Sequence, residues 1–349
     1  MCGWRDGGPG YNNSTSMAAR LNPAPTRPPE VVDLRRLTAR DLEPLLAEET
    51  AAWRDSLEWD FEKSADLVRR FVDLRALNGC ALIDGGEVTG YAYYVLEEGK
   101  GLLGDLYVEN DWRTVERENL LMESAIQGML ASPPIRRVES QLLMLESVPG
   151  RIVPQPDFAS TYERNFMRVD LRRASLGEGR LRRPVYIEKW SDQYNDSAAH
   201  LIAVAYDGHV DSNINDQYRS VIGARRFVFN VVQFPGCGSF FRPASYAAFE
   251  PAHGRLIGIS LASLVSPECG HITQICVSPA AKGMGIGHEL LRQSLTTLRD
   301  VGCHAASLTV TAANAEAVTL YERVGFTTVR RFLAYVWEGF DRRPMHVDL

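Results

Sequence analysis

Residues 277–291 read VSPAAKGMGIGHELL, and three glycines here (Gly283, Gly285, Gly287) alternate with other residues. An apolar pattern at helical spacing follows at once. Such a succession of strand, glycines and helix builds an anion site. The first N–H groups of a helix lack an intrahelical partner, and the helix dipole is positive at that end. Glycine permits positive φ and close approach of a ligand. The stretch is therefore expected to hold a phosphate or pyrophosphate.

Two nucleotide motifs do not fit it. The chain contains no Gly-x-x-x-x-Gly-Lys-Ser/Thr string. The dinucleotide fingerprint Gly-x-Gly-x-x-Gly fails from Gly283, where His288 takes the third glycine's place, and from Gly285, where Leu290 does. The gap from Val277 through Lys282 is also too long for the first turn of a dinucleotide fold. A nucleotide-dependent oxidoreductase is disfavoured on this spacing.

Composition sets wider bounds. The chain has 349 residues, 45% hydrophobic and 23% charged, which suits two globular domains. A net charge of −6 argues against a nucleic-acid binder. No apolar run approaches a membrane span. The six cysteines (Cys2, Cys80, Cys237, Cys269, Cys276, Cys303) make no C-x-x-C pair and no metal-ligand spacing, so no metal is expected. Free thiols fit a cytoplasmic protein. Residues 1–29 are rich in Gly, Pro and Asn and are expected to be a disordered tail, with Met17 as an alternative start.

The rest of the chain reads as one series of elements told twice. Residues 30–173 begin with a strand (VVDLRRL), a helix capped near Thr38 or Asp41, and a second helix over 61–77. A hairpin around Asp84-Gly85-Gly86, a strand LLGDLYVEN, a helix VERENLLMESAIQGML and a strand RRVESQLLML follow. STYERNF is expected to end a further helix, with MRVDLRRA as the last strand. Residues 174–184 form a basic, glycine-containing linker ending at Pro184. Residues 185–349 repeat the pattern. Gly90 matches Gly258 at an offset of 168 residues (258 − 90), and Val108 matches Val277 at 169 (277 − 108). Leu121 matches Leu290, also at 169 (290 − 121), and Tyr162 is matched with Tyr321 at 159 (321 − 162). We read an internal duplication, one domain per copy.

The string Val277-x-Pro279-x-x-Lys282-x-x-Gly285-x-Gly287 resembles the acetyl-CoA signature of the GNAT N-acetyltransferase superfamily. Lys282 stands where Gln or Arg is usual and keeps a donor. AASLTVT, Asn314 and the element Tyr321-x-x-x-Gly325-Phe326 follow at family-like spacing. The resemblance covers 185–337 well and 31–173 weakly. It implies an α/β chain of two tandem GNAT-like domains, each a mixed, mostly antiparallel central sheet flanked by helices. Mycothiol synthase-type proteins are similar in layout.

The same resemblance assigns roles. Ile275, Cys276 and Val277 would pair with the pantetheine arm, one of their N–H groups polarising the thioester carbonyl. Lys282, Gly283, Met284, Gly285, Ile286, Gly287 and His288 would cradle the pyrophosphate of acetyl-CoA. Asn314 is a helix N-cap, a CoA contact, or both. Tyr321 would protonate the leaving thiolate, or else packs as a core tyrosine on its helix. His271, at the start of a strand, is a candidate general base, with Glu268 or a water as alternatives. Cys276 as a nucleophile lacks a partner histidine and is set aside.

In the amino-terminal copy, Glu116 falls opposite Gly285, Glu118 opposite Gly287, and Leu102 opposite His271. Carboxylates and Cβ atoms there oppose anion binding. This copy is expected to keep the fold, lose CoA binding and help shape the substrate site. By the same resemblance the segment DGHVDSNINDQYRSVIGARRF would line the acceptor cleft, where His209, Asp211, Asp216 and Tyr218 concentrate polar groups and the aspartates would hold a cationic amine. The expected activity is acetyl transfer to the primary amine of a small molecule, with a peptide or protein amino group second. A non-catalytic acyl-CoA-binding module is the rival.

Overall fold

The computed structural model describes residues 28–132, 135–179, 181–234 and 236–340. The expected tail at 1–29 and the start at Met17 lie outside the described residues, Pro28 and Pro29 excepted.

The amino-terminal half runs β1 (Glu30–Asp33), α1 (Ala39–Leu57), α2 (Glu62–Asp73), β2 (Asn78–Asp84), β3 (Glu87–Glu97), β4 (Lys100–Val108), α3 (Val115–Leu130), β5 (Arg137–Gln141) and β6 (Ala159–Asp170). The carboxy-terminal half runs β7 (Tyr186–Lys189), α4 (Asn195–Ala205), α5 (Asp211–Ile214), α6 (Val221–Gln233), β8 (Ser239–Phe240), β9 (Tyr246–Glu250), β10 (Arg255–Ser266), β11 (Cys269–Val277), α7 (Ile286–Asp300), β12 (Ala305–Thr311), α8 (Ala315–Val324) and β13 (Thr327–Glu338). Helix α1 starts where Thr38 and Asp41 close a capping box, the Thr38 N–H donating to Asp41 Oδ2 at 2.8 Å. Its buried stripe of Leu42, Leu45, Leu46, Glu49, Trp53 and Leu57 faces the sheet.

Twelve strands form one sheet in the order β1-β2-β3-β4-β5-β13-β6-β12-β11-β10-β9-β7, and β8 pairs with β10. Only β4–β5 and β11–β12 pair in parallel. In each half, helices cover both faces. Helices α1 and α2 pack on one side of the amino-terminal strands and α3 on the other. In the other half, α4 and α6 lie opposite α7 and α8.

The duplication is visible in the register. Gly90 pairs with Val108 across β3–β4, and Gly258 pairs with Val277 across β10–β11. Both glycines seat a helix. A Cβ on Gly90 would meet Leu121 Cδ1 at 3.3 Å, and one on Gly258 would meet Leu290 Cδ1 at 2.9 Å.

The halves exchange their last strands. β13 lies beside β5, and β6 lies beside β12, with the two long strands paired to each other. Tyr335 and Trp337 of β13 therefore join the amino-terminal core around α3, while Met167, Val169 and Leu171 join the core under α7 and α8. Each half is completed by the other.

Two local expectations are corrected. Residues 159–170 are a single strand, not a helix end followed by a strand. Both edges of β6 are hydrogen-bonded, and that pairing outweighs local pattern. Tyr162 faces Ala334 in this ladder and is no counterpart of Tyr321 on α8. The acceptor segment, 207–227, includes α5 and the start of α6, where Ala224 is buried.

Candidate active site

β11 and β12 stay hydrogen-bonded over only four residue pairs, Cys269–Ile272 against Ala305–Leu308. Beyond them β12 continues beside β6, and β11 keeps only β10. The edge of β11 at Ile275–Val277 is thus unpaired on one side. A cleft of about 1330 Å³ opens there, lined by these three residues, by Lys282, Gly283 and the start of α7, and by Asn314 and Tyr321 of the α8 segment.

The glycine stretch forms one wall. Gly283 (φ 71°) and Gly285 (φ 84°) adopt left-handed backbone. Gly285 is the N-cap of α7 and offers no side chain to its first amides. Gly287 has a different reason to be glycine. It sits in the first helical turn, and the nearest atom to an added Cβ would be Val277 Cγ2 at 3.6 Å. The fold tolerates a side chain there, and the free space belongs to the cleft. Lys282 is exposed and makes no ion pair among the described residues. Helix dipole, bare amides and this ammonium suit a pyrophosphate. Met284 departs from expectation. Its side chain packs against the patch that includes Ala281 and Ile286, and it does not line the cleft. The linker, absent from the sequence-based site, contributes Glu178 and Gly179 to the wall and is tied to the glycine loop by Arg182 N–H donating to Met284 O at 3.2 Å.

Other parts of the cleft carry titratable side chains. Tyr321 is 6% exposed, and burial pushes its phenol up, with the Asp211 carboxylate adding to the effect. The phenol thus keeps its proton. Burial likewise holds the Cys276 thiol up at about 12, so it is no thiolate. Asn314 caps α8, its Oδ1 accepting from Ala317 N at 3.3 Å, and its Nδ2 lies 3.3 Å from His209 Nε2. His209 and Tyr206, which meet edge to face, line the cleft from the end of α4.

Other expected residues lie elsewhere. His271 is 4% exposed, hydrogen-bonded through Nδ1 to Ser307 Oγ at 2.9 Å, and packed on Trp59 with ring centroids 5.0 Å apart. Burial depresses its pKa to about 4. Glu268 sits exposed at the β10–β11 turn, away from the cleft end of β11. Neither is placed to take a proton from an acceptor. Asp216 is bound to Lys100 at 2.6 Å, on the amino-terminal half. Asp211 is bound to Arg164 at 3.4 Å and accepts from the Thr311 hydroxyl. Both aspartates are already matched by cations, so neither is free to hold an ammonium. Tyr218 stacks on Tyr206 at 4.4 Å, behind the wall.

The corresponding stretch of the amino-terminal half is built differently. Thr114 caps α3 by accepting from Arg117 N. The Arg113 guanidinium donates to Val108 O at 2.9 Å, on the strand edge. Glu118 is buried against Arg151 at 2.6 Å. Leu142, Leu143, Met144 and Leu145 are buried, and no helix equivalent to α8 follows β5. Among the described residues no cluster suits a metal ion, and no helix is long and apolar enough to cross a membrane.

Comparison with known proteins agrees with this architecture. Residues 214–326 match the acetyltransferase (GNAT) family model. The match covers 113 of the chain's 349 residues (326 − 214 + 1), all in the carboxy-terminal half. Among curated relatives, the mycothiol acetyltransferase of Pseudarthrobacter chlorophenolicus is 34% identical over 93 residues, which is 25% of this chain and 29% of that protein. The matched part is thus under a third of the relative's length. Two solved structures share the fold along most of both chains. A GCN5-related N-acetyltransferase from Sphaerobacter thermophilus superposes with a TM-score of 0.64 at 15% identity, covering 89% of this chain and 95% of that one. A tandem GNAT protein from the clavulanic acid biosynthesis pathway superposes at 0.56 and 19%, covering 89% and 98%.

Proposed function

We propose that this protein is an acetyl-CoA-dependent N-acetyltransferase that acts on the primary amine of a small molecule by direct transfer. The observation that carries the reading is the meeting, in one cleft, of the free β11 edge, the bare amino end of α7 and the buried phenol of Tyr321. We take 30–173 and 185–349 as the two copies, joined by 174–184, with the donor site in the second.

The residues divide the work as follows. Backbone groups of Ile275–Val277 align the pantetheine arm, and the amides of 283–288 with Lys282 hold the pyrophosphate. The amine nitrogen bonds to the thioester carbonyl carbon while a β11 N–H stabilises the charge growing on oxygen. As the C–S bond breaks, Tyr321 donates its proton to the thiolate. His209 accepts the proton that the amine nitrogen sheds, through one water, at Nδ1, the ring nitrogen that accepts from Asp211 N–H and so carries the lone pair. We assign this role to His209 because it lies in the cleft, whereas His271 and Glu268 do not. The name of the Pseudarthrobacter chlorophenolicus relative, mycothiol acetyltransferase, supports a small-molecule acceptor. The free cysteines support a cytoplasmic setting.

The test is CoA release from acetyl-CoA across a panel of small amines and an amino-terminal peptide, with the product read by mass. Turnover with a small amine, lowered about 100-fold in Tyr321→Phe, is the expected result. Acetyl-CoA binding without turnover on any amine, unaffected by that substitution, would instead make the protein a binding module.

A further inference from the structure

We infer that Arg164, on a strand of the amino-terminal half, is a positioning residue for His209 of the carboxy-terminal site. The inference rests on His209 being the proton acceptor proposed above. Arg164 lies on β6 opposite Thr311 of β12. Its guanidinium is 11% exposed. Nη1 donates to Thr311 Oγ1 at 3.1 Å, and Nη2 donates to Thr309 Oγ1 at 3.3 Å. The two threonines hold the fork so that Nη1 also reaches Asp211 Oδ1 at 3.4 Å. Thr311 donates its own hydroxyl to the same oxygen.

Asp211 passes this arrangement to the ring. Its Oδ2 lies 3.8 Å from His209 Nδ1, and its backbone N–H donates to that nitrogen at 3.2 Å. On the far side, Asn314 Nδ2 meets Nε2. The ring is thus held between the α5 start and the α8 cap. The Asp211 carboxylate is 14% exposed, and a carboxylate so placed needs a matching cation. Arg164 supplies it.

The groups around the ring are few. Tyr206 of α4, Tyr218 of the turn after α5, Cys276 of β11 and Tyr321 of α8 are all pushed up by burial and stay neutral. Asp207 is exposed to solvent, as is Lys282 beyond the glycine loop. Glu178, His288 and, on α8, Glu316 and Arg323 also line this cleft, but Asp211 is the carboxylate paired with the ring, at 3.8 Å, and Arg164 is its cation.

The duplicated sheet supplies a control. Asp170 pairs with Ala305 as Glu338 pairs with Arg137, so β6 and β13 are equivalent strands. By that equivalence the counterpart of Arg164 is Phe332, which is 2% exposed in the core. The arginine occurs only on the strand that reaches the open cleft. The amino-terminal half thus serves the other half's chemistry.

The test is a proton NMR titration of the full chain from pH 5 to 9, the His209 signal being identified by its loss in His209→Asn. Arg164→Ala should raise the His209 midpoint by about one unit, because Asp211 is left as an unbalanced anion. Arg164→Lys should keep most of the original value, and Arg164→Ala/Asp211→Asn should return towards it. Acetyl-CoA binding by calorimetry reports on folding. An unchanged midpoint in Arg164→Ala with binding intact would overturn the inference. Should Arg164→Ala fail to bind acetyl-CoA, Asp211→Asn alone decides, with a lowered midpoint in support and an unchanged one against. Loss of turnover in His209→Asn is a separate result that bears on the base itself.

Discussion

Asn314 Nδ2 lies 3.3 Å from His209 Nε2, so the residue that caps α8 also touches the acceptor wall. The two tasks are separable by substitution. Asn314→Ala should lower stability by about 1 kcal/mol through loss of the cap, and lower turnover as well. Asn314→Asp keeps the capping oxygen but puts a carboxylate oxygen where an amide nitrogen faced His209 Nε2. Its thermal midpoint should stay near that of the wild type while turnover falls. Equal turnover in Asn314→Asp and wild type would show that the contact has no role in the reaction.

Gly287 separates ligand from fold. The nearest protein atom to an added Cβ is 3.6 Å away, and alanine is the better helix former. Gly287→Ala should melt no lower than wild type, yet bind acetyl-CoA at least about tenfold more weakly, roughly 1.4 kcal/mol. Thermal melts and calorimetry on one preparation check both. A destabilised protein with undiminished affinity would mean that the glycine serves packing.

His271 and His209 should respond in opposite ways. His271→Gln is expected to keep turnover within a few fold, and His209→Asn to lose about 100-fold. The pH dependence of stability gives a second reading. Burial holds the His271 pKa at about 4, below its unfolded value near ~6.5. Its contribution to stability is complete above the unfolded value and is lost as pH falls towards about 4. Thermal midpoints of wild type should therefore drop more steeply over that window than those of His271→Gln.

The amino-terminal half carries a pH dependence of opposite sign. Glu49 accepts from Tyr91 Oη at 2.8 Å and Trp53 Nε1 at 3.2 Å. It is pushed well up by burial and then by Asp105 beside it. Asp105 is pushed up to about 6 by burial. Both bind protons more tightly folded than unfolded. Their contribution is complete below the unfolded carboxyl range near ~4 and is lost as pH rises, for Asp105 through about 6. Asp105→Asn, which can still accept from Leu106 N–H, should flatten the fall of the thermal midpoint from pH 5 to 7. An identical slope in variant and wild type would mean that the pair is not buried together.

Much of this was readable in the chain. The glycine stretch, the matched Gly90 and Gly258, and the helix seats at Leu121 and Leu290 are local features, and all fall where their spacing put them. In the first copy Glu116 and Glu118 were legible, whereas Arg113 on Val108 O, Arg151 on Glu118 and the burial of 142–145 were not. Long-range pairing was not legible. Nothing near Tyr162 announces that β6 crosses to the other half, so a helix was expected where a strand lies. The same exchange brings Arg164 to Asp211 and packs Trp59 and Phe166 against His271, which removed both from their expected roles.

The proposed function requires that one of two duplicated clefts hold acetyl-CoA, at the glycine-opened end of α7. Calorimetric titration of the full chain should find one acetyl-CoA per chain, and none when Gly287→Glu places in the second copy the carboxylate that the first already carries. Two molecules per chain, or undiminished binding by Gly287→Glu, would contradict it.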